Sequence, residues 1–324
     1  MASPFEPPPI ALTSLTIRDF RGIDDLKLEF LGPDGRPNRL AVISGPNGCG
    51  KTAVLEAALI AAGGAKLAVG RVGERAVRRG TDDYEIRASF QHPSAPDGRF
   101  DVTETAAPAP HQPLSIPHWY FSSWRAPKPV GAIDVTVGKS GRPAKTGLNR
   151  LRNVKSMLVN AAAAEHFAPS RPLLPGYTTW IAGINKAWGK YYPEHEGRFS
   201  VGLSNADVEG EGAFDVFYQR EDEPRLPVDD LSAGQLELFL FLAALVLNDD
   251  REGIVFIDEP ELHLDPQWHA PIVRSLMQLQ PKAQFIVATH SLGIYAAAMS
   301  HQRHFLVPED DPRAWAWPAV GAEV

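Results

Sequence analysis

The stretch that decides the fold is LAVISGPNGCGKT, residues 40–52. Its first five residues form a continuous apolar run, which is typical of a buried strand, and TAVLEAALIAA, beginning at Thr52, has helical spacing without a breaker. A glycine-rich loop between such a strand and a helix lets backbone N–H groups turn towards phosphate oxygens at the positive end of the helix. The stretch therefore predicts a site for the phosphates of a nucleotide.

Residues 45–52 match the pattern G-x-x-x-x-G-K-S/T at every defined position. In this pattern Lys51 reaches the β- and γ-phosphates of ATP, and the hydroxyl of Thr52 ligates Mg²⁺. Cys49, the only cysteine of the sequence, lies inside this loop. It could allow redox inhibition, or it is simply a small residue at a variable position. The predicted phosphate-binding residues are Gly45, Pro46, Asn47, Gly48, Cys49, Gly50, Lys51 and Thr52.

A second apolar stretch, IVFIDE at 254–259, ends in two carboxylates. Asp258 is placed to hold Mg²⁺ through water, and Glu259 to orient or deprotonate the water that attacks the γ-phosphate. By itself the pattern is weak, because many buried strands end in acidic residues near solvent. With the phosphate loop on a neighbouring strand, we expect one shared site at the carboxyl ends of the strands.

A third motif, LSAGQ at 231–235, precedes a strongly apolar helix. Ser232 suits the N-cap of that helix whatever the function. The same residue, together with the N–H of Gly234 at the helix start, also suits an anion site for a γ-phosphate. Both interpretations stay open on the sequence alone.

Strands and helices alternate after residue 253, which predicts an α/β fold with a mostly parallel sheet covered by helices. The segments YEIRASF, RFDVTET and HWYFSS predict an antiparallel β layer, and two helical stretches between 125 and 195 predict an inserted helical lid. The expected division is a tail at 1–10, an N-lobe at 11–124, the lid at 125–195, a C-lobe at 196–308 and a tail at 309–324.

Composition excludes several classes of protein. The 324 residues carry a net charge of −7 with 22% charged and 44% hydrophobic residues, so a disordered or generally nucleic-acid-coating chain is excluded. One cysteine excludes an intrachain disulfide framework and fits a reducing compartment. The longest apolar run, Leu238 to Leu247, has ten residues, fewer than the roughly 20 that span a bilayer. We therefore expect a cytoplasmic protein without a membrane partner.

Together these motifs resemble those of ATP-binding-cassette (ABC) ATPases: Walker A at 45–52, the signature at 231–235 and Walker B at 254–259. Leu264-Asp265 resembles the D-loop of that class, and His290 in ATHS its switch histidine. FRGI at 20–23 and DEPELHLDPQWH resemble the RecF-like and overcoming-lysogenisation-defect-like ATPases of DNA repair and phage defence.

The resemblance implies an ABC-type head that binds ATP and Mg²⁺ between two subunits arranged head to tail. In such a homodimer Ser232, Gly234 and Gln235 act on the nucleotide held by the partner, and His290 contacts the γ-phosphate. The catalytic set implied is Glu259, His290 and Lys51. For the Q-loop position Gln91 is the candidate, but the HWYFSSWR segment offers Ser122, Ser123 or Trp124 instead.

The segment between Phe121 and Asn160 holds eight basic residues against one acidic residue. Such a basic lid suits a nucleic-acid backbone or an acidic partner, although a solvated lid face explains it as well. The residues predicted to contact DNA are Arg142, Lys145, Arg150, Arg152 and Lys155.

The leading functional prediction is a Mg²⁺-dependent ATPase that acts as sensor or regulatory subunit for a nuclease or other effector in anti-phage defence. Overcoming-lysogenisation-defect proteins carry a Toprim nuclease after the ATPase, and the residues after His290 do not resemble one, so we expect the effector on a separate polypeptide encoded nearby. The alternatives are a RecF-like clamp that binds DNA with ATP and, less favoured, a transporter's cassette subunit.

Overall fold

The computed structural model describes residues 7–70, 72–107, 114–123, 130–133, 150–167, 176–193, 197–204, 213–247 and 252–307. The chain divides into two compact units. Unit 1 comprises residues 1–124, 250–262 and 266–324, and unit 2 comprises residues 125–249 and 263–265. Among the described residues, no helix has both the length and the apolar character needed to cross a membrane.

The described residues of unit 1 form two sheets. The first is antiparallel with the order β2-β1-β4-β5, and the second is entirely parallel with the order β12-β3-β11-β10-β6. The strands of the antiparallel sheet are β1 (Ala11–Phe20), β2 (Ile23–Glu29), β4 (Glu85–Gln91) and β5 (Arg99–Glu104). Those of the parallel sheet are β3 (Leu40–Ser44), β6 (His118–Phe121), β10 (Gly253–Asp258), β11 (Ala283–Thr289) and β12 (Arg303–Phe305).

The central strands of the parallel sheet are apolar on both faces, and every residue of β3, β10 and β11 is buried. Helix α1 (Lys51–Ala61) contacts strands of both sheets and shares one hydrophobic core with them. The other helices of this unit are α5 (Pro266–Leu279) and α6 (Leu292–Ala297). The phosphate loop therefore leads directly into the most buried helix of unit 1.

The buried amide of Gln284 joins the two sheets. Its Oε1 accepts from the Leu12 N–H at 2.8 Å, and its Nε2 donates to the carbonyl oxygens of Leu12 and Asn38. Because Gln284 is the second residue of β11, the first residues of β1 lie at the amino end of that parallel strand.

In its described residues, unit 2 combines an antiparallel sheet with three α-helices. The sheet has the order β7-β8-β9, with β7 (Arg198–Leu203), β8 (Phe214–Gln219) and β9 (Leu226–Pro227). The helices α2 (Arg150–Phe167), α3 (Tyr177–Trp188) and α4 (Ala233–Val246) contact one another, and α2 also contacts β8. Burial of Trp188 against Phe199 and Tyr218 supplies an aromatic core.

The predicted α/β class is confirmed, with a parallel core sheet, an antiparallel layer and lid helices. The prediction that HWYFSS belongs to the antiparallel layer is wrong, because β6 pairs in parallel with β10 as the edge of the core sheet. The two units also divide the chain differently from the expected lobes. The boundary at 124/125 coincides with the expected start of the lid, but residues 196–249 group with the lid helices.

Candidate nucleotide site

The phosphate loop lies between the carboxyl end of β3 and the start of α1. Gly45, Gly48 and Gly50 have φ values of 153°, 82° and 96°, which residues with a side chain rarely adopt. A Cβ atom on Gly45 would also lie 2.4 Å from the Leu306 carbonyl oxygen. The backbone of this loop therefore requires glycine, which agrees with a loop that wraps phosphate oxygens.

Lys51 is buried inside the curve of this loop. Its Nζ donates to the carbonyl oxygens of Gly45 and Pro46, both at 2.9 Å. Burial lowers the pKa of Lys51, and the neighbouring Cys49 and the carboxylates of Glu259, Asp258 and Glu261 oppose that shift. The loop thus holds an ammonium group in a partly desolvated position, where an anionic phosphate is a favourable partner.

Thr52 and Asp258 bring two kinds of oxygen together. The Thr52 hydroxyl lies 3.2 and 3.1 Å from the two carboxylate oxygens of Asp258, and the Asp258 side chain is almost fully buried. A hydroxyl and a carboxylate are oxygen donors of the type that Mg²⁺ prefers, so this pair fits the ion. Ser123 Oγ donates to Asp258 Oδ2 at 2.8 Å, which adds a third oxygen-bearing side chain to the group.

Glu259 and His290 form a pair at the ends of adjacent strands. The His290 Nε2 lies 3.1 Å from the Glu259 Oε1, and both side chains are partly exposed. Glu259 has a φ of 52°, which is rare for a residue with a side chain and typical of functional turns. Its N–H donates to the Ala288 carbonyl oxygen at 2.7 Å, which fixes the turn against β11. The strained turn directs the Glu259 carboxylate to the histidine.

Unit 2 contains the LSAGQ motif at the start of α4. Ser232 is the N-cap, and with Gln235 it forms a reciprocal capping box, so the structural interpretation of Ser232 is correct. A Cβ atom on Gly234 would lie 2.2 Å from the His263 carbonyl oxygen, so glycine is required there for close backbone packing. The role of these residues towards a partner's nucleotide remains a prediction.

Gln91 does not lie with the residues described above. It ends β4 opposite Ala11, the first residue of β1, and its side chain donates to the Pro8 carbonyl oxygen at 3.1 Å. The start of β1 lies at the amino end of β11, whereas His290 follows the carboxyl end of β11. Gln91 therefore lies at the opposite end of β11 from His290. The nucleotide role predicted for Gln91 is therefore wrong, and the alternative Ser123 contacts Asp258 instead. Trp124 lies outside the described residues.

The basic lid is not a uniform basic surface. Lys155 is fully buried and forms ion pairs with Asp215, at 2.5 Å, and with Asp229. Its Nζ also donates to the Gly131 carbonyl oxygen. The prediction that Lys155 contacts DNA is wrong, because its charge is already neutralised inside unit 2. Of the other lid residues, Arg152 is exposed, whereas Arg142, Lys145 and the side chain of Arg150 lie outside the described residues.

Glu261, two residues after Glu259, belongs to the site but was not predicted from the sequence. Its Oε1 accepts hydrogen bonds from the Thr289 hydroxyl and from the N–H groups of His290 and Ser291. The signal was its place in the DEPELHLDP stretch, directly after a strand that pairs with the strand leading to His290.

Two family models match parts of the chain. One, described as "AAA domain, putative AbiEii toxin, Type IV TA system", matches residues 181–296, and another, described as "AAA domain", matches residues 14–98. Together they cover the segments that contain the phosphate loop, the signature, Walker B and His290.

Among characterised proteins, the chain is 23% identical to the Septu protein PtuA of Bacillus mycoides over 296 residues, or 86% of this chain and 38% of that protein. It is 34% identical to the "Retron Vc95 probable ATPase" of Vibrio cholerae over 88 residues, 24% of this chain and 17% of that protein. It is 28% identical to the Old nuclease of Escherichia phage P2 over 128 residues, 36% and 22% of the two chains. The chain thus spans well under half the length of these relatives.

The fold is shared with solved Smc head domains. One, bound to the C-terminal winged-helix domain of ScpA, has a TM-score of 0.57 at 13% identity and covers 92% of this chain and 97% of that one. Another, from Pyrococcus furiosus, has a TM-score of 0.56 at 12% identity and covers 89% and 92%. The matched AAA models, these relatives and the head-domain fold together support an ABC-class P-loop ATPase.

Proposed function

We propose that this protein hydrolyses ATP with Mg²⁺ at a head-to-tail dimer interface and thereby regulates a nuclease effector in defence against phage. The observation that carries the catalytic part is the Glu259–His290 pair, 3.1 Å apart, at the same strand ends as the Thr52–Asp258 contact. The carboxyl ends of β3, β10 and β11 thus present a cation, a Mg²⁺-type donor pair and a carboxylate base together.

In the proposed reaction, the loop N–H groups and Lys51 hold the β- and γ-phosphates. Glu259 takes a proton from the attacking water while the water oxygen bonds to the γ-phosphorus. The bond between the γ-phosphorus and the β–γ bridging oxygen then breaks, which releases ADP and phosphate. His290 contacts the γ-phosphate and orients Glu259. Bound Mg²⁺, held by Thr52 and Asp258, would neutralise phosphate charge.

The dimer is proposed from the signature motif, which begins a helix of unit 2, whereas the phosphate loop belongs to unit 1. Ser232 and the Gly234 N–H would contact the nucleotide of the partner subunit, with Gln235 holding Ser232 through the capping box. ATP would then be part of the interface, so binding and hydrolysis would switch the dimer between two states.

The regulatory role rests on similarity. The relatives include an Old nuclease, a retron ATPase and a Septu protein, and the sequence motifs resemble those of ATPases in DNA repair and phage defence. A separate nuclease chain is the proposed effector. Plating efficiency of phage on cells that carry the gene with its genomic neighbours tests this role, and equal plating with wild-type and Glu259→Gln protein would contradict it.

The catalytic part is tested by Glu259→Gln, which keeps the shape of the side chain but cannot accept the proton. We expect kcat for ATP hydrolysis to fall by about 10²–10⁴-fold, the range typical of a lost general base, while ATP still binds. Light scattering should then show a stable dimer with ATP and Mg²⁺. Exposed Glu74→Ala, in the same unit, is the control and should retain turnover. Normal turnover in Glu259→Gln would remove Glu259 from the catalytic role.

The RecF-like DNA clamp is separated by duplex DNA titrations of the Glu259→Gln protein with ATP across a salt series. Binding that requires ATP and weakens steeply with salt would favour the clamp. In that case Arg152→Glu should reduce the affinity, whereas Lys155 is too buried to contribute to the salt dependence. An ATP dimer without DNA binding favours a protein effector.

A further inference from the structure

Glu261 holds three consecutive residues at the end of β11 with one oxygen atom. Its Oε1 accepts from the Thr289 hydroxyl at 2.7 Å, from the His290 N–H at 2.7 Å and from the Ser291 N–H at 3.1 Å. Hydrogen bonds to a carboxylate are shorter and stronger than those between neutral groups. The backbone of His290 is therefore fixed by a side chain from the segment that follows β10.

The contact is concentrated on a single atom. The other oxygen, Oε2, is buried and has no hydrogen-bond partner within the described part of the chain. An amide oxygen has two lone pairs, so glutamine at this position would keep at most two of the three hydrogen bonds while removing the charge. Alanine would remove it entirely.

The segment around His290 has a second anchor that does not involve Glu261. Ser291 Oγ lies 2.9 Å from His269 Nδ1 and accepts from the Ile294 N–H as the N-cap of α6. Loss of the Glu261 carboxylate would therefore leave α6 in place and free mainly His290. The change would be local rather than a loss of fold.

We propose that Glu261 is a positioning residue that holds His290 against Glu259. Glu259 and Glu261 lie two residues apart, and each fixes one part of the strand leading to His290: the Glu259 N–H donates to the Ala288 carbonyl oxygen, and the Glu261 carboxylate accepts from His290. The His290 ring is thereby held 3.1 Å from Glu259. This inference rests on the proposed function, in which both residues act at the γ-phosphate.

The first test compares ATP hydrolysis by wild type, Glu261→Ala and Glu261→Gln, with Glu74→Ala as the exposed control. In Glu261→Ala we expect kcat to fall about tenfold and KM for ATP to change less than about twofold, because an orienting contact is lost and the phosphate loop is untouched. Glu261→Gln should recover part of the loss. An unchanged kcat in Glu261→Ala would overturn the proposal.

A double-mutant cycle separates positioning from a general structural effect. If Glu261 acts through His290, then adding Glu261→Ala to His290→Ala should lower kcat no further. If the two losses multiply, Glu261 does not act through His290, and the proposal is overturned.

Amide hydrogen exchange gives a reading that needs no ATP turnover. In Glu261→Ala the N–H of His290 should exchange at least about tenfold faster than in wild type, while the N–H groups of β10 stay protected. The Ser291 N–H should change less, because it also donates to the Thr289 hydroxyl at 2.9 Å. Unchanged exchange at His290 would overturn the positioning role. If the wild type does not hydrolyse ATP, the proposed function fails, and the exchange rates still decide whether Glu261 holds His290.

Discussion

Each unit fully buries a charged side chain that projects from a helix, Glu56 in unit 1 and Lys155 in unit 2, but the partners differ. In unit 1 the carboxylate of Glu56, on α1, pairs with the Arg21 guanidinium at 2.7 Å. In unit 2 the ammonium of Lys155, on α2, pairs with the two carboxylates of Asp215 and Asp229. One cluster has a single acid among several donors, and the other has a single base between two acids. In unit 1 the charge of Glu56 is therefore balanced by one cation. In unit 2 the two carboxylates around Lys155 leave an excess negative charge.

The Glu56 cluster is rich in neutral donors. The carboxylate accepts from the Tyr120 hydroxyl at 2.9 Å and from the N–H groups of Val69 and Gly70 at 2.7 and 3.1 Å. Burial, together with the Glu56 charge, raises the pKa of Tyr120, so its hydroxyl stays a donor. Glu56 lies on the helix that begins at Lys51, so this cluster supports the helix behind the phosphate loop.

The Lys155 cluster includes Asp229, which lies two residues before the signature motif. Burial raises the pKa of Asp215, and the hydrogen bond from Lys155 only partly offsets that effect. Burial acts in the same direction on Asp229, but hydrogen bonds from Lys155 and from the N–H groups of Val130 and Gly131 outweigh it and lower its pKa. The two acids therefore share one lysine unequally.

Lys155→Met is the sharpest test of the comparison and the largest expected effect on stability. It leaves two buried carboxylates without their cation, so we expect a loss of about 3–5 kcal/mol in the free energy of unfolding. Exposed Arg152→Met, on the same helix, should change it by less than about 0.5 kcal/mol. Chemical denaturation with a probe in unit 2 measures both. Equal stability of the two variants would mean that the buried ion pairs contribute nothing.

Glu56→Gln should have a smaller effect, because the amide oxygen can still accept hydrogen bonds from some of the donors. The loss of the charge paired with Arg21 should lower the free energy of unfolding by about 1–3 kcal/mol. Glu74→Gln, exposed in the same unit, is the matched control and should be close to neutral. A Glu56→Gln protein that loses more stability than Lys155→Met would reverse the comparison.

The parts of the site that depend on local sequence were predictable. The glycine spacing between a buried strand and a helix predicts the phosphate loop together with Lys51 and Thr52. The glycines of the loop adopt the positive φ values that favour this residue type. The carboxyl end of β10 followed from an apolar run that ends in acids. The class of fold followed in turn from the alternation of strands and helices.

The parts that depend on distant partners were not predictable. A count of basic residues placed Lys155 on a DNA-binding face, but Asp215 and Asp229, 60 and 74 residues further along, draw it inwards. Gln91 ends a strand at plausible sequence spacing. The antiparallel pairing with β1 nevertheless places it near the amino end of β11, away from the carboxyl ends where the site residues lie. Strand pairing and buried ion pairs join residues that no local pattern connects.

The smallest predicted effect concerns the two acids of unit 2 and their dependence on pH. A carboxyl group whose pKa is lowered on folding adds stability above its unfolded pKa, here 3.8, and that stability is lost as pH falls through the folded pKa. A raised pKa, as for Asp215, has the opposite sign, because ionisation above pH 3.8 then opposes folding. At neutral pH, Asp229→Asn should therefore lower the free energy of unfolding by about 1 kcal/mol, and Asp215→Asn by less. Asp229→Asn should also weaken the loss of stability in acid, whereas Asp215→Asn should steepen it. Unfolding free energies of the two variants between neutral pH and pH 3 decide the order, and a larger loss in Asp215→Asn would mean that Asp215, rather than Asp229, is the main partner of Lys155.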